Sequence, residues 1–113
     1  MKSWGDTMFA FHEKTCAIEL TRGDTGTLDF DFDVEIDGEK VKDYNAVFHL
    51  RKNSLLTYPL LASVPLQSGE LFINHELTKD LKAGEYIYDI EITAGKNVMT
   101  YGPYAFVINP DAG

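Results

Sequence analysis

The sequence predicts an all-β fold, an immunoglobulin-like β-sandwich of about seven antiparallel strands joined as a Greek key with a tyrosine corner. Three observations carry that expectation. Residues 27 to 36 alternate, with Leu28, Phe30, Phe32, Val34 and Ile36 on one side and Asp29, Asp31, Asp33 and Glu35 on the other, as a sheet with one dry and one wet face requires. Residues 81 to 92 carry a Leu, a turn ending in Gly84, Tyr86 two positions later and then Tyr88, Ile90 and Ile92 in alternation. A tyrosine corner reads this way: the ring folds over the turn and its hydroxyl bonds backbone a few residues upstream. Finally, turn residues punctuate the chain about every 8–12 residues and no stretch has a useful helical period.

Taken in order, residues 16 to 20, extended back toward Phe9, form the first strand. Arg22-Gly23-Asp24-Thr25-Gly26 follows as a turn, because Gly bends the chain and Asp and Thr bond nearby amides. After the alternating segment, Asp37-Gly38 supplies a tight turn. Residues 45 to 52 make the next strand, with Ala46, Phe48 and Leu50 inward and His49 and Arg51 outward. Residues 55 to 66 are apolar, but Pro59 and Pro65 cannot donate to a ladder, which confines them to a sheet edge or a loop. A strand over 69 to 77 and a turn or single helical turn over 78 to 83 lead into the corner. Residues 86 to 93 follow, with Asp89 and Glu91 on the wet face, then a hairpin connection at 94 to 97 and a last strand over 98 to 108, interrupted near Gly102-Pro103. The expected organisation is an N-terminal arm (1–15), the sandwich (16–108) and an exit segment (109–113).

Composition narrows the function classes. A chain of 113 residues makes one domain that buries roughly 60–70% of its unfolded surface. Its 18 acidic and 10 basic residues leave a net charge of −8, which opposes nucleic acid and anionic membrane as partners, since both need concentrated Lys and Arg. Cys16 is the lone cysteine, so stability comes from packing without an intrachain disulfide. No run approaches the ~20 apolar residues of a membrane span, and the first fifteen residues hold no apolar core of a signal peptide. The expectation is a chain that is either cytoplasmic when made or a fragment or product that leaves by another route.

The reactive side chains form no catalytic pattern. Arg22-Gly23-Asp24 matches the tripeptide that integrins read on exposed loops, but three residues are a weak motif and the turn explains them. From Asp33, Asp-x-Glu-x-Asp-Gly imitates half of a calcium loop; position twelve is then Tyr44 instead of Glu, and carboxylates along a strand do not converge on one point. His12, His49 and His75 are scattered, and His12 with Cys16 would need a helix and further ligands to hold zinc. Gly23-Asp24-Thr25-Gly26 lacks the Lys and helix of a phosphate cradle. The expectation is therefore no catalytic, metal or cofactor site.

Two apolar groups remain. Trp4, Met8, Phe9 and Phe11 crowd the arm, while Leu55, Leu56, Tyr58, Leu60 and Leu61, with Val64 and Leu66, crowd the Pro-flanked segment. They either cover open ends of the sandwich or meet a partner, because contiguous exposed apolar surface marks an interface. Gly84 and Tyr86 are structural. A carbohydrate site would instead use aromatic rings standing proud of a sheet, with Tyr44, Tyr58, Tyr101 and Tyr104 as candidates.

Leu20-Thr21-Arg22-Gly23-Asp24-Thr25-Gly26-Thr27 ahead of an alternating strand, together with the Gly84-Glu85-Tyr86-Ile87-Tyr88-Asp89 corner, resembles small bacteriophage and prophage tail proteins. The likeness is to the N-terminal immunoglobulin-like domain of baseplate upper proteins and spans residues 18 to 108. It implies a non-enzymatic virion component, without cofactor, made in the bacterial cytoplasm and assembled with other tail or baseplate proteins or with copies of itself. The larger baseplate proteins add a coiled coil and a receptor-binding head, which residues up to Gly113 do not contain. The arm from Trp4 to Phe11 has no counterpart in the likeness. The alternative is a secreted or cell-surface sandwich that binds carbohydrate or a protein ligand.

Overall fold

Residues 9–53 and 59–111 are described by a computed structural model, and among them lie ten strands and one helical turn. The chain is all-β and sandwich-like. The larger layer is a six-stranded sheet in the order β1 (Phe9–His12), β2 (Ala17–Thr21), β10 (Asn97–Asn109), β9 (Gly84–Ala94), β6 (Asn45–Arg51), β7 (Leu60–Pro65). The other layer is the pair β3 (Gly26–Asp29) and β8 (Glu70–Ile73), and a short hairpin joins β4 (Glu35–Ile36) to β5 (Glu39–Lys40). Neighbouring β10, β9 and β6 with β3–β8 in the opposite layer is the G-F-C and B-E arrangement of an immunoglobulin-like sandwich.

Between the layers lies one core. Ile18 and Leu20 of β2, Phe48 and Leu50 of β6, Leu71 and Ile73 of β8, Tyr86, Tyr88, Ile90 and Ile92 of β9 and Phe106 and Ile108 of β10 are all buried. Each set recurs at every second position, because a pleated strand sends alternate side chains to opposite faces. Phe48, Tyr88 and Phe106 form its aromatic centre: Phe48 stacks on Tyr88 at 5.5 Å and tilts against Phe106 at 5.8 Å.

The tyrosine corner is present. Tyr86 is 4% exposed and its hydroxyl donates to the carbonyl of Lys82 at 2.7 Å. Gly84 enters the strand at φ 152°, in open space. One helical turn, α1 (His75–Thr78), precedes the corner. Asn74 caps it, its side chain accepting from the Leu77 amide at 3.1 Å. The strand expected over 69 to 77 therefore stops at Ile73, since an Asn cap offers the backbone a helical start.

Four further expectations are corrected. The strands do not all run antiparallel: β2 and β10 pair in parallel, Ile18 opposite Phe106, the body of the domain serving as the long crossover that parallel neighbours need. Ten strands replace the expected seven, partly because the ten-residue strand over 27 to 36 is broken into β3, an unpaired extended piece and β4. Its alternation survives, with Asp29, Asp31, Asp33 and Glu35 exposed and Val34 buried; alternation reports a covered face, not a pairing partner. The first strand does not extend back to Phe9 as one piece: Phe9–His12 is a separate strand that folds back on β2, pairing Phe9 with Leu20 and Phe11 with Ile18. Phe9 lies over Gly26, where even a Cβ would come within 2.4 Å of its ring.

The two glycine turns behave as expected. Asp37 (φ 52°) and Gly38 (φ 83°) close β4 on β5, the positive-φ pair of a type I′ turn. Residues 95 and 96 close β9 on β10, with Ala94 opposite Asn97. The last strand is interrupted where expected: register shifts between Tyr101 and Tyr104, around a cis Gly102–Pro103 peptide. The Pro-flanked segment is an edge strand, β7, paired on one side with β6.

Two outcomes follow. Tyr86→Phe keeps the ring and removes one hydrogen bond to a part-buried carbonyl, so the domain should lose about 1 kcal/mol of stability, read by urea denaturation, with binding unchanged. The second concerns Glu19, which joins three strands: Asn109 of β10 donates to its Oε2 at 2.9 Å and His12 of β1 lies 2.9 Å from its Oε1. Those bonds, the Asn109 one foremost, hold the Glu19 carboxyl below the usual glutamate range. A lowered folded value stabilises the protein above the unfolded glutamate value of about 4.3, and that contribution disappears as pH falls through the folded value. The urea midpoint of the wild type should exceed that of Glu19→Gln near neutrality, and the gap should close on acidification.

Candidate functional site

The six-stranded sheet turns one face to the core and the other outward, and among the described residues no strand pairs with the outer side of β7. Leu60 and Leu61 lie on that edge, 41% and 40% exposed. Leu61 falls where the register with β6 shifts, between the pairs Leu50–Ala62 and Arg51–Leu60. Strand β7 reads Leu-Leu-Ala-Ser-Val-Pro and carries no charge, although charges are the usual protection of an open edge.

Beside the edge, the outward face of β6 and β9 holds an ionic network. Asp89 receives Arg51 Nε on Oδ2 at 3.1 Å and meets His49 Nδ1 with Oδ1 at 3.2 Å. All three side chains are only 14–20% exposed. Their place follows from register: His49 pairs with Asp89 across β6–β9 and with Ser63 across β6–β7, while Arg51 pairs with Ile87 and with Leu60. Charge-assisted bonds of this kind fix side-chain geometry, so the face presents a rigid polar centre between Val47, Ile87 and the leucine edge. Sequence reading placed His49, Arg51 and Asp89 on the wet face but did not join them. The signal available was local only: a His and an Arg two positions apart on one strand, and an Asp on another that the register sets opposite the His.

Ser63, His49 and Asp89 occupy one rung, an order that invites comparison with a hydrolase triad. Among the described residues no hydrogen bond joins Ser63 to His49, and Asp89 is shared with Arg51. The network therefore reads as a brace across two strands.

The other candidates separate. Arg22-Gly23-Asp24 is held as a turn: Gly23 N–H donates to Thr78 Oγ1 at 2.8 Å, His75 Nδ1 sits 2.8 Å from the Gly23 carbonyl, and Arg22 binds Asp111 at 2.7 Å. The Arg22 guanidinium holds the Asp111 carboxyl below its usual range. Among the described residues no three His, Cys, Asp or Glu side chains gather as a metal site. Phe9 and Phe11 pack against the core instead of standing free. Trp4, Met8, Leu55, Leu56 and Tyr58 lie outside the described residues.

Tyr44, Tyr101 and Tyr104 do not stand proud of a sheet. Tyr101 meets Tyr104 at 5.0 Å and Phe32 at 5.2 Å, and Tyr44 meets Phe32 at 6.2 Å. Tyr101 also donates to Cys16 Sγ at 3.3 Å, and burial, the largest cause, pushes its phenol well above the ordinary range. Among the described residues no helix is long and apolar enough to cross a membrane. Comparison of the chain with protein-family models, with curated proteins and with solved structures finds no match.

Proposed function

We propose that this chain is a non-enzymatic structural and interaction module of a phage or prophage tail, a baseplate-type assembly protein of the virion made in the bacterial cytoplasm. Its partners are other tail proteins or copies of itself, and it uses no cofactor. The supporting observation is the edge strand β7, unpaired on its outer side among the described residues, uncharged and carrying Leu60 and Leu61 at about two-fifths exposure. Such an edge is a template for strand addition, in which main-chain bonds supply affinity and alternate side chains supply specificity. The braced outer face beside it supplies a polar rim, as interfaces of this kind have. The sequence resemblance, through its strand-opening turn and tyrosine corner, supplies the setting.

Sedimentation over a wide concentration range, alone and with the products of adjacent tail genes, tests the proposal. Association is expected for the wild type. The double substitution Leu60→Lys, Leu61→Lys should weaken it at least tenfold while leaving the unfolding midpoint nearly unchanged, because exposed sites rarely shift stability by more than about 0.5 kcal/mol. A strict monomer that binds none of those products would sink the proposal.

A further inference from the structure

Strand β7 has no neighbour on its outer side among the described residues, and its own backbone restricts what can pair there. The Leu66 N–H donates to the Ala46 carbonyl at 2.9 Å, and the ladder runs on through Val47–Pro65 and Phe48–Val64. Successive residues of a strand turn their backbone groups to opposite sides. Leu66 and Val64 therefore face β6, while Ser63 and Pro65 face outward. Ser63 offers both an N–H and a carbonyl on that side. Pro65 offers a carbonyl alone, because proline has no N–H.

That unevenness selects a register for self-pairing. With two copies of β7 antiparallel and Ser63 opposite its own counterpart, the two serines exchange both N–H···O bonds. Setting Pro65 opposite Ser63, or opposite its own counterpart, loses one or both donors of the pair. In the Ser63 register Leu61 meets Pro65 of the other copy and Ala62 meets Val64, so a larger side chain faces a smaller one each time. Ala62 and Val64 already pack against the core, and Leu61, 40% exposed, gains cover. Charge agrees with this pairing. The chain carries −8, and acidic side chains stand on β2, β3, β4, β5, β8 and β9, whereas β7 has none. Like charges directly opposite destabilise a strand pair, and here none meet. The other outer strand of the sheet, β1, is four residues long against six, and its Phe9 and Phe11 are committed to the core.

We infer that β7 pairs with β7 of a second copy, antiparallel and centred on Ser63, joining two six-stranded sheets into one across a twofold axis. A contact of this kind is self-complementary and closes after two copies. The inference rests on β7 being the assembly edge and names the partner of that edge.

Two measurements on the full chain test it. In amide hydrogen exchange followed by NMR, the Ser63 N–H should slow about tenfold as protein concentration rises through the association range, while Val64, already facing β6, changes little. The second measurement uses the exposed position of Ser63. Ser63→Asp and Ser63→Lys should each weaken self-association about tenfold in sedimentation, because like charges then meet on the axis, and an equimolar mixture of the two should restore it. Unfolding midpoints check that both variants keep the fold; if either midpoint falls, the exchange measurement on the wild type carries the test. A chain that stays monomeric, a Ser63 exchange rate independent of concentration, or a mixture that associates no better than either variant alone would each overturn the inference. If that monomer still binds the product of an adjacent tail gene, the assembly role stands and the self-pairing alone falls.

Discussion

Two buried phenols on one strand constrain this fold more than any other pair of groups. Tyr86 and Tyr88 both point into the core from β9, and a hydroxyl taken out of water without a partner costs more than its ring gains at the margin. Each must reach a backbone carbonyl. Tyr86 finds Lys82 at 2.7 Å and so sets the turn by which the chain enters β9. Tyr88, fully buried, finds the carbonyl of Cys16 at 2.6 Å, seventy-two positions away in sequence. That bond ties the turn of the β1–β2 hairpin to β9, two strands away in the sheet, and Cys16 accepts a left-handed φ of 59° at that turn. Burial drives the Tyr88 phenol far above its ordinary range, which keeps it a neutral donor. Among the described residues no buried side-chain nitrogen or oxygen lacks a partner, so the core meets this condition throughout.

How much of this was legible in the sequence depends on whether a signal was local. The corner was legible because Leu81, Gly84 and Tyr86 fall within a few residues and the hydroxyl reaches only four positions back. The edge role of β7 was legible because Pro59 and Pro65 speak to a missing donor, a property of single residues. Residues 30 to 34 show the opposite case. Their alternation correctly separated Phe32 and Val34 from Asp31 and Asp33, yet a period of two says nothing about whether another strand lies alongside. Phe9–His12 is too short for any period to register, and its pairing with β2 rests on Phe9 and Phe11 finding the core. The parallel neighbours β2 and β10 stand nearly ninety residues apart, beyond reach of local pattern.

The same rule governs the outer face. Each of His49, Arg51 and Asp89 was assigned to the wet side correctly, since inward neighbours Phe48, Leu50, Tyr88 and Ile90 left no other choice. Their union depends on the β6–β9 register, which depends in turn on how the whole sheet is ordered. Arg51 and Asp89, 20% and 14% exposed, lose much of their hydration, and pairing offsets that loss only when geometry is good. Asp89 satisfies both partners with separate oxygens, so β6 and β9 are stapled on the face opposite the core. The hydrophobic edge at Leu60 and Leu61 is thereby held on a stiff sheet, and a stiff edge loses less entropy on pairing than a fraying one.

The smaller layer explains why the aromatic content concentrates where it does. Two strands, β3 and β8, cannot cover a six-stranded sheet, and the surface over Ile92, Met99 and Tyr101 is left for the unpaired run from Phe30 to Val34. Backbone bonds hold the two ends of that stretch, Phe30 N–H to the Gly69 carbonyl and Val41 N–H to the Val34 carbonyl, both at 2.8 Å, so the order between them comes from side chains. Rings supply large apolar area with few rotatable bonds, which is why Phe30 and Phe32 do there what a further strand would do elsewhere. Packing by rings in place of aliphatic side chains has a geometric consequence. Branched chains interdigitate to native density, and these rings close on one another edge to face or stacked, with centroids 5.2–6.0 Å apart, as aromatic pairs prefer. The cluster of Phe11, Phe30, Phe32 and Tyr101 therefore stands in for the missing strand, while Asp31 and Asp33 on the opposite side of the run stay in solvent.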